Sequence, residues 1–365
     1  MPNQTVRAAV MPAPNTPIEI REIPWPVLDA GSAMLRTKYS EVCGTDVHLY
    51  HGRLQGVPYP LIPGHVSIGH LAAIRGTMSD IDGRAFKEGD LVTFLDVHET
   101  CGRCYECLVT KQTTRCPHRK VYGITYGASD GPLGGWADYI WMKPGVKLLR
   151  IPAGMEPASF IAGGCGLVTS MHMIERGNVR LGQSVAVLGA GPVGLASAAL
   201  ARLSGADPVI VIGAPLSRLA AAHKMGATHT IALDVPATER AQQVRDITGG
   251  HGVDIVLEAA GDPRAVADAL DLVRDGGCVV IAGQYTDHGD VALNPHTQIN
   301  KKHVEIRGCW GSDYSHFHRA LRFLAAQGAS LPWADAISAR YGLEQANEAL
   351  AAVENRSVVK AIIEP

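Results

Sequence analysis

The chain has 365 residues, 46% of them hydrophobic and 19% charged, with a formal net charge of -2. That length suggests two domains, and that balance calls for sizeable packed cores rather than disorder. No basic stripe or basic-aromatic patch is present, which argues against nucleic acid as a partner.

The opening "MPNQTVRAAVMPAPN" lacks the charged start, long apolar run and small-residue cleavage site of a secretory leader. Up to about residue 160 the chain reads as β-rich, with short apolar runs broken by Pro and Gly. "GDLVTFL" and "GGWADYIWM" are strand candidates. Within this region lies "CGRCYECLVTKQTTRC", carrying Cys101, Cys104, Cys107 and Cys116. Four thiols at this spacing can close around one tetrahedral ion and leave no open position, so the site would be structural. Zinc is the natural occupant. An iron-sulfur cluster is the rival, since C-x2-C-x2-C with Pro117 after Cys116 imitates the start of a ferredoxin run, and disulfides or free thiols are the third reading. A cytoplasmic location is the default, and its reducing conditions favour a metal over disulfides.

From about residue 180 strands alternate with helices. "SVAVLG", "PVIVIG", "HTIAL", "VDIVLEAAG" and "GGCVVIAG" read as strands. "PVGLASAALARLSGA", "SRLAAAHKMGA" and "DPRAVADALDLV" read as helices. This alternation predicts a parallel sheet covered on both faces. Ser184 to Ala201 carries no charge and reaches the lower length limit of a membrane span, but Gly189, Gly191, Pro192 and Gly194 make it a buried strand-turn-helix. Beyond about 305, "SHFHRALRFLAAQG" and "GLEQANEALAAVEN" read as helices and "SVVKAIIEP" as a closing strand.

Gly189-Ala190-Gly191-Pro192-Val193-Gly194 is a G-x-G-x-x-G that follows a predicted strand and opens a predicted helix. That is the context in which the motif holds a dinucleotide pyrophosphate: a tight turn, close backbone approach, and a helix N-terminus facing negative charge. The acidic residue expected at the end of the second strand, where it would bond the ribose, is replaced by Gly213, and Arg218 lies just beyond. Nothing there repels a 2'-phosphate, which tilts the reading towards NADP over NAD.

Three further fragments are "CGTDVH" (Cys43 to His48), "GHVSIGH" with His65, and "GGCGLVTS" with Cys165 and Thr169. With the four-cysteine segment and the glycine loop in the same order, the chain resembles the zinc-dependent medium-chain alcohol dehydrogenases over essentially its whole length. The resemblance implies a catalytic zinc held by Cys43, His65 and Cys165, hence two zinc ions per chain. Two thiolates and an imidazole leave a fourth position open, which is what a catalytic site requires. It also implies a proton relay from Thr45 through the cofactor ribose to His48, and a nicotinamide ring bordered by Thr169 and Val193. Asp46 falls where the family has a carboxylate behind the ligating histidine. One departure stands out: Val66 replaces the glutamate that often follows the histidine, although Gly69 of the longer pattern is kept. Valine cannot ligate, so the site depends on Cys165.

The expected architecture is α/β. A Rossmann domain over 161–305 is inserted in a β-rich, GroES-like catalytic domain made from 1–160 and 306–365, with substrate and cofactor meeting in the cleft between them. The expected reaction interconverts an alcohol and its ketone or aldehyde with NAD(P). Tyr50, Tyr59, Asp96, His98, Trp310, Asp313 and Tyr314 are pocket candidates, and they hint at a secondary alcohol that is polar or cyclic. The partners are then a small alcohol or carbonyl and further copies of the chain, as dimer or tetramer by family habit, with no membrane. A zinc-free enone or quinone reductase of the same superfamily and a non-catalytic nucleotide sensor are the competing readings.

Overall fold

The computed structural model describes residues 4–365. Two compact units emerge: 1–164 with 313–328 and 333–365, and 165–312 with 329–332.

The second unit is built on six strands. In spatial order they are His229–Ala232, Val209–Gly213, Val185–Leu188, Val253–Glu258, Val273–Ile281 and Glu305–Gly308, all parallel to their neighbours. The Val185–Leu188 and Val209–Gly213 strands are buried along their whole length. That is why they read as unbroken apolar runs rather than alternating ones. The strand order reverses between Val185–Leu188 and Val253–Glu258, the switch point at which such sheets receive ligands. The helix Pro192–Leu203 follows the glycine loop and is buried from Gly194 through Ala201. Its small side chains let it lie close to the sheet, so the charge-free stretch 184–201 belongs to the core. No helix among the described residues is long and apolar enough to cross a membrane. The strand Glu305–Gly308 carries the sheet past residue 305.

The first unit is dominated by antiparallel pairing. Its main sheet runs Ile337–Tyr341, Lys360–Ile363, Ser32–Val42, Ser67–Arg75, Leu91–Phe94, Leu148–Arg150, and Tyr139–Met142 pairs onto Ser32–Val42. The long strand Ser32–Val42 serves two cores, because successive side chains point to opposite faces. Met34 and Val42 join a cluster with Leu61, Trp136 and Ile363, whereas Ala33 and Leu35 join another with Val92, Phe94 and Ile140. Trp136 is fully buried, and its indole N–H donates to the Glu41 carbonyl at 3.0 Å. Truncating such a residue costs about 3–5 kcal/mol.

Several elements differ from the sequence expectation. "GGWADYIWM" is strand only over Tyr139–Met142, because the N–H groups of Gly135 and Trp136 bond instead to the carbonyls of Gly64 and Pro63. "GLEQANEALAAVEN" begins as a 3-10 turn, Leu343–Gln345, before the helix Ala346–Glu354. Two helices carry no strong sequence period: Gly44–Tyr50, and Pro157–Gly177, which is kinked at Gly164.

Candidate functional site

Cys43 ends the long strand and caps the helix Gly44–Tyr50, its sulfur accepting from the Thr45 N–H at 3.3 Å. The cap is reciprocal. Asp46 Oδ2 accepts from the Cys43 N–H at 2.8 Å, and Oδ1 accepts from the Gly64 N–H at 3.4 Å. Asp46 is fully buried, and burial pushes its carboxyl up, opposed by His65 and the Cys43 N–H. This one carboxyl group therefore ties the backbone at Cys43 to the backbone at His65. Gly64 must be glycine: its φ is +88°, and a Cβ there would fall 2.5 Å from both Ser40 Oγ and Trp136 Cδ1. Cys165 follows Gly164, whose φ of 49° and ψ of -143° interrupt the helix.

These local devices converge. The ligand atoms of Cys43, His65 and Cys165 all lie within 4.8 Å of one another. Two thiols and one imidazole, two of the three residues buried, suit a zinc ion with one position open. Val66 is buried and donates no ligand. The four cysteines of the lobe also gather within 4.8 Å. There the Cys101 N–H donates to Cys116 Sγ at 3.4 Å, and the Arg103 N–H, with neighbouring thiols, lowers the Cys101 thiol to about 6, whereas burial and the neighbouring thiols push Cys104 up to about 12.

Thr45 and His48 stand three residues apart on one short helix, both half-buried, so they share a face.

At the nucleotide loop each glycine has a separate reason. Gly189 has φ +110°, a Cβ on Gly194 would fall 1.8 Å from the Gly189 carbonyl oxygen, and Gly191 caps Pro192–Leu203 with open space before it. Ser170, next in sequence to Thr169, donates its hydroxyl to the Val193 carbonyl at 2.9 Å, which joins that helix to the nucleotide loop. Gly213 is closed to any side chain, since a Cβ there would fall 2.7 Å from Ala190 Cβ. Packing therefore explains the missing carboxylate. Arg218 is half-buried on the helix Leu216–Lys224.

Several pocket candidates turn out to have structural jobs. The Tyr59 hydroxyl donates to the Leu49 carbonyl, Asp313 caps the helix Tyr314–Gln327, and Trp310 stacks on Tyr285 at 5.6 Å. Tyr50 packs on a core cluster, and His98 Nδ1 meets the Tyr126 hydroxyl at 2.6 Å. Asp96 is different: burial pushes its carboxyl up and His65 opposes this, so it lies in the field of the site. Burial likewise pushes the Tyr314 hydroxyl up.

Comparison with known proteins establishes the family. A family model described as "Alcohol dehydrogenase GroES-like domain" matches residues 29–153, and one described as "Zinc-binding dehydrogenase" matches 192–326. The 5-exo-hydroxycamphor dehydrogenase of Pseudomonas putida is 33% identical over 364 residues, covering 99% of each chain. The chain belongs to the zinc-type medium-chain dehydrogenases. Sorbitol dehydrogenase of Bacillus subtilis is 31% identical, over 95% of this dehydrogenase and 93% of that protein. Among solved structures, an alcohol dehydrogenase of Thermotoga maritima matches with TM-score 0.94 and 32% identity over 100% of both chains. A chain from Sinorhizobium meliloti bound to NADP matches with TM-score 0.85 and 25% identity, again over 100% of both.

As a member of this family the dehydrogenase carries out alcohol oxidoreduction with NAD(P). Its sheet holds a carboxyl group that sequence reasoning passed over. Glu258, fully buried at the end of Val253–Glu258, accepts from the N–H groups of Ala260 (2.7 Å), Gly261 (3.2 Å) and Gly283 (3.1 Å). Burial pushes it up and those donors oppose this. It fixes two loops at the carboxyl ends of adjacent strands, where a dinucleotide binds in such sheets. Its only signal was an acidic residue ending an otherwise apolar strand.

Proposed function

We propose that this dehydrogenase uses a catalytic zinc, held by Cys43, His65 and Cys165, to interconvert a secondary alcohol with a cyclic or polar frame and its ketone. The observation that carries this reading is the convergence of those three donors within 4.8 Å. When bound there, zinc would polarise the substrate oxygen and lower the pKa of an alcohol, as it does for water. The chain's own residues do the rest. Asp46 holds the backbone of Cys43 and the residue before His65, which keeps the donors in place without loop rearrangement. The Thr45 hydroxyl receives the alcohol proton, and His48, one turn further along the same face, delivers it to solvent. Gly189, Gly191, Pro192, Val193 and Gly194 would hold the dinucleotide, which supplies the hydride acceptor when bound. Thr169 and Val193 would border its ring, and Arg218 would favour NADP.

A second zinc in the Cys101, Cys104, Cys107 and Cys116 lobe would be structural. The cyclic secondary alcohol is suggested by the hydroxycamphor dehydrogenase relative, and a polyol by the sorbitol dehydrogenase relative. A homo-oligomer, dimer or tetramer, in the reducing cytoplasm completes the proposal; no disulfide joins any cysteines among the described residues. The test is zinc content together with turnover. Two zinc ions in the wild type and one in Cys165→Ala, with oxidation of secondary alcohols lost in the variant, are expected. One zinc ion in both proteins would sink the reading.

A further inference from the structure

Glu41 and Lys360 form an ion pair in which each side chain is 1% exposed. Burying two charges is costly, and an apolar pair of the same shape commonly serves a fold as well or better. The backbones at this point have no need of it. The Glu41 N–H donates to the Val66 carbonyl at 3.0 Å, its carbonyl accepts from the Trp136 indole, and strand Lys360–Ile363 is in regular antiparallel register with Ser32–Val42.

What singles out this carboxylate is its neighbours. Glu41 lies two residues before Cys43 on the same strand. Its N–H is bonded to the residue after His65. Its carboxylate lies flat against Gly164, the residue before Cys165: a Cβ on Gly164 would fall 2.1 Å from Glu41 Oε2, 2.4 Å from Cδ and 2.7 Å from Oε1. Gly164 is also the residue whose φ of 49° breaks the helix Pro157–Gly177 and turns the chain into Cys165. Three segments that sequence places far apart, each carrying one donor, therefore meet at one residue: the Glu41 backbone joins the Cys43 and His65 segments, its side chain meets Gly164, and Lys360 fixes the far end of that side chain.

We propose that Glu41, anchored by Lys360, is a positioning residue that sets the spacing of Cys43, His65 and Cys165 by seating the Gly164 kink. The proposal rests on the reading of those three as a metal site. The mechanism is steric and electrostatic at once. The carboxylate occupies the space that a side chain at 164 would need. It also accepts the Lys360 ammonium, which restrains its rotation. Groups of this kind, behind the metal-holding residues, typically govern affinity by about 10- to 100-fold.

The test uses full-length protein stripped of metal and titrated with cobalt(II), with zinc competition against a chelator as a second readout. Wild type takes up two equivalents, and Cys165→Ala identifies which one belongs to the three-donor site. The variant Glu41→Gln with Lys360→Met removes both charges while keeping shape. We expect it to keep its unfolding midpoint, to bind the three-donor equivalent about 10- to 100-fold more weakly, and to show a changed visible cobalt spectrum for that equivalent. Glu41→Asp keeps the charge but draws the carboxylate back from Gly164. The same weakening is expected, and if the double variant does not fold, Glu41→Asp alone decides. A purely structural ion pair would leave metal affinity and spectrum untouched, so wild-type values in the folded variants overturn the proposal. Uptake of a single equivalent by the wild type would instead bring down the metal-site reading itself, together with this inference.

Discussion

The two cysteine-containing clusters of this dehydrogenase are built in opposite ways. The lobe takes all four of its thiols from residues 101 to 116, and its elements are short: a four-residue helix, Tyr105–Leu108, and a three-residue turn, Thr113–Arg115. The three-donor site takes Cys43 from a strand end, His65 from a glycine turn and Cys165 from a helix kink. Chain connectivity already holds the donors of the lobe near one another. The distributed site is surrounded by buried polar groups, Asp46, Glu41 and Lys360 among them, whose hydrogen bonds and ion pairs hold donors that connectivity does not. Local sites are held by the ion they bind, and long-range sites must be held by the protein.

The largest effect that would test this contrast is in activity. Cys165→Ala should lower kcat/KM by at least about a thousandfold, since metal polarisation supplies several kcal/mol to such reactions. Its unfolding midpoint should stay near that of the wild type. Cys107→Ser should do the reverse. One zinc ion is lost, the unfolding midpoint falls and becomes insensitive to chelator, and the folded fraction keeps its kcat. If both variants lose activity and stability alike, the two sites are not independent and the contrast fails.

A smaller effect sharpens it. Asp46→Asn retains one acceptor but not both, so zinc affinity at the three-donor site should fall by about 10- to 100-fold in chelator competition, with the lobe unaffected. At the nucleotide, Arg218→Ala should raise KM for NADP about tenfold more than KM for NAD, the usual worth of a bond to a charged group. Equal changes for the two cofactors would remove Arg218 from the phosphate site.

The smallest effect concerns a long-range tie that involves no metal donor. Asp254 accepts from the Ser184 N–H and hydroxyl, both at 2.7 Å, and pairs with Arg274 at 2.8 Å. Against the upward push of burial, these partners hold its carboxyl below the ordinary value. Its folded pKa is thus depressed, so its contribution to stability is present above the unfolded pKa and is lost as pH falls through the folded one. Asp254→Asn should cost about 1–2 kcal/mol at neutral pH, a modest figure because the pair is partly exposed. The cost should vanish in acid, as thermal unfolding against pH will report, and a pH-independent difference would exclude the linkage.

What the sequence disclosed follows the same division. The lobe could be read from spacing alone, and so could the glycine loop, because strand, turn and helix are consecutive. Cys43, His65 and Cys165 became a set only through resemblance to a family, since no local period joins them. The Gly164 kink was invisible because the helix Pro157–Gly177 hides it among residues that favour neither state strongly. Gly213 was read as a cofactor signal alone, when Ala190 leaves room there for no side chain. The partnership of Glu41 with Lys360 has no signature at all, being a contact across 319 positions.

That separation has a consequence in time. A chain grows from its N-terminus at about 5–20 residues per second. The four thiols of the lobe emerge almost together and can close around an ion as soon as they do. Glu41 must wait about 15 to 60 seconds for Lys360 at that pace, while the whole nucleotide-binding sheet is made in between. With zinc bound as proposed, a nascent chain would for that interval carry a closed lobe and an unfinished three-donor site. The order of synthesis would then seat the metal that builds the protein first and the metal that works in it last.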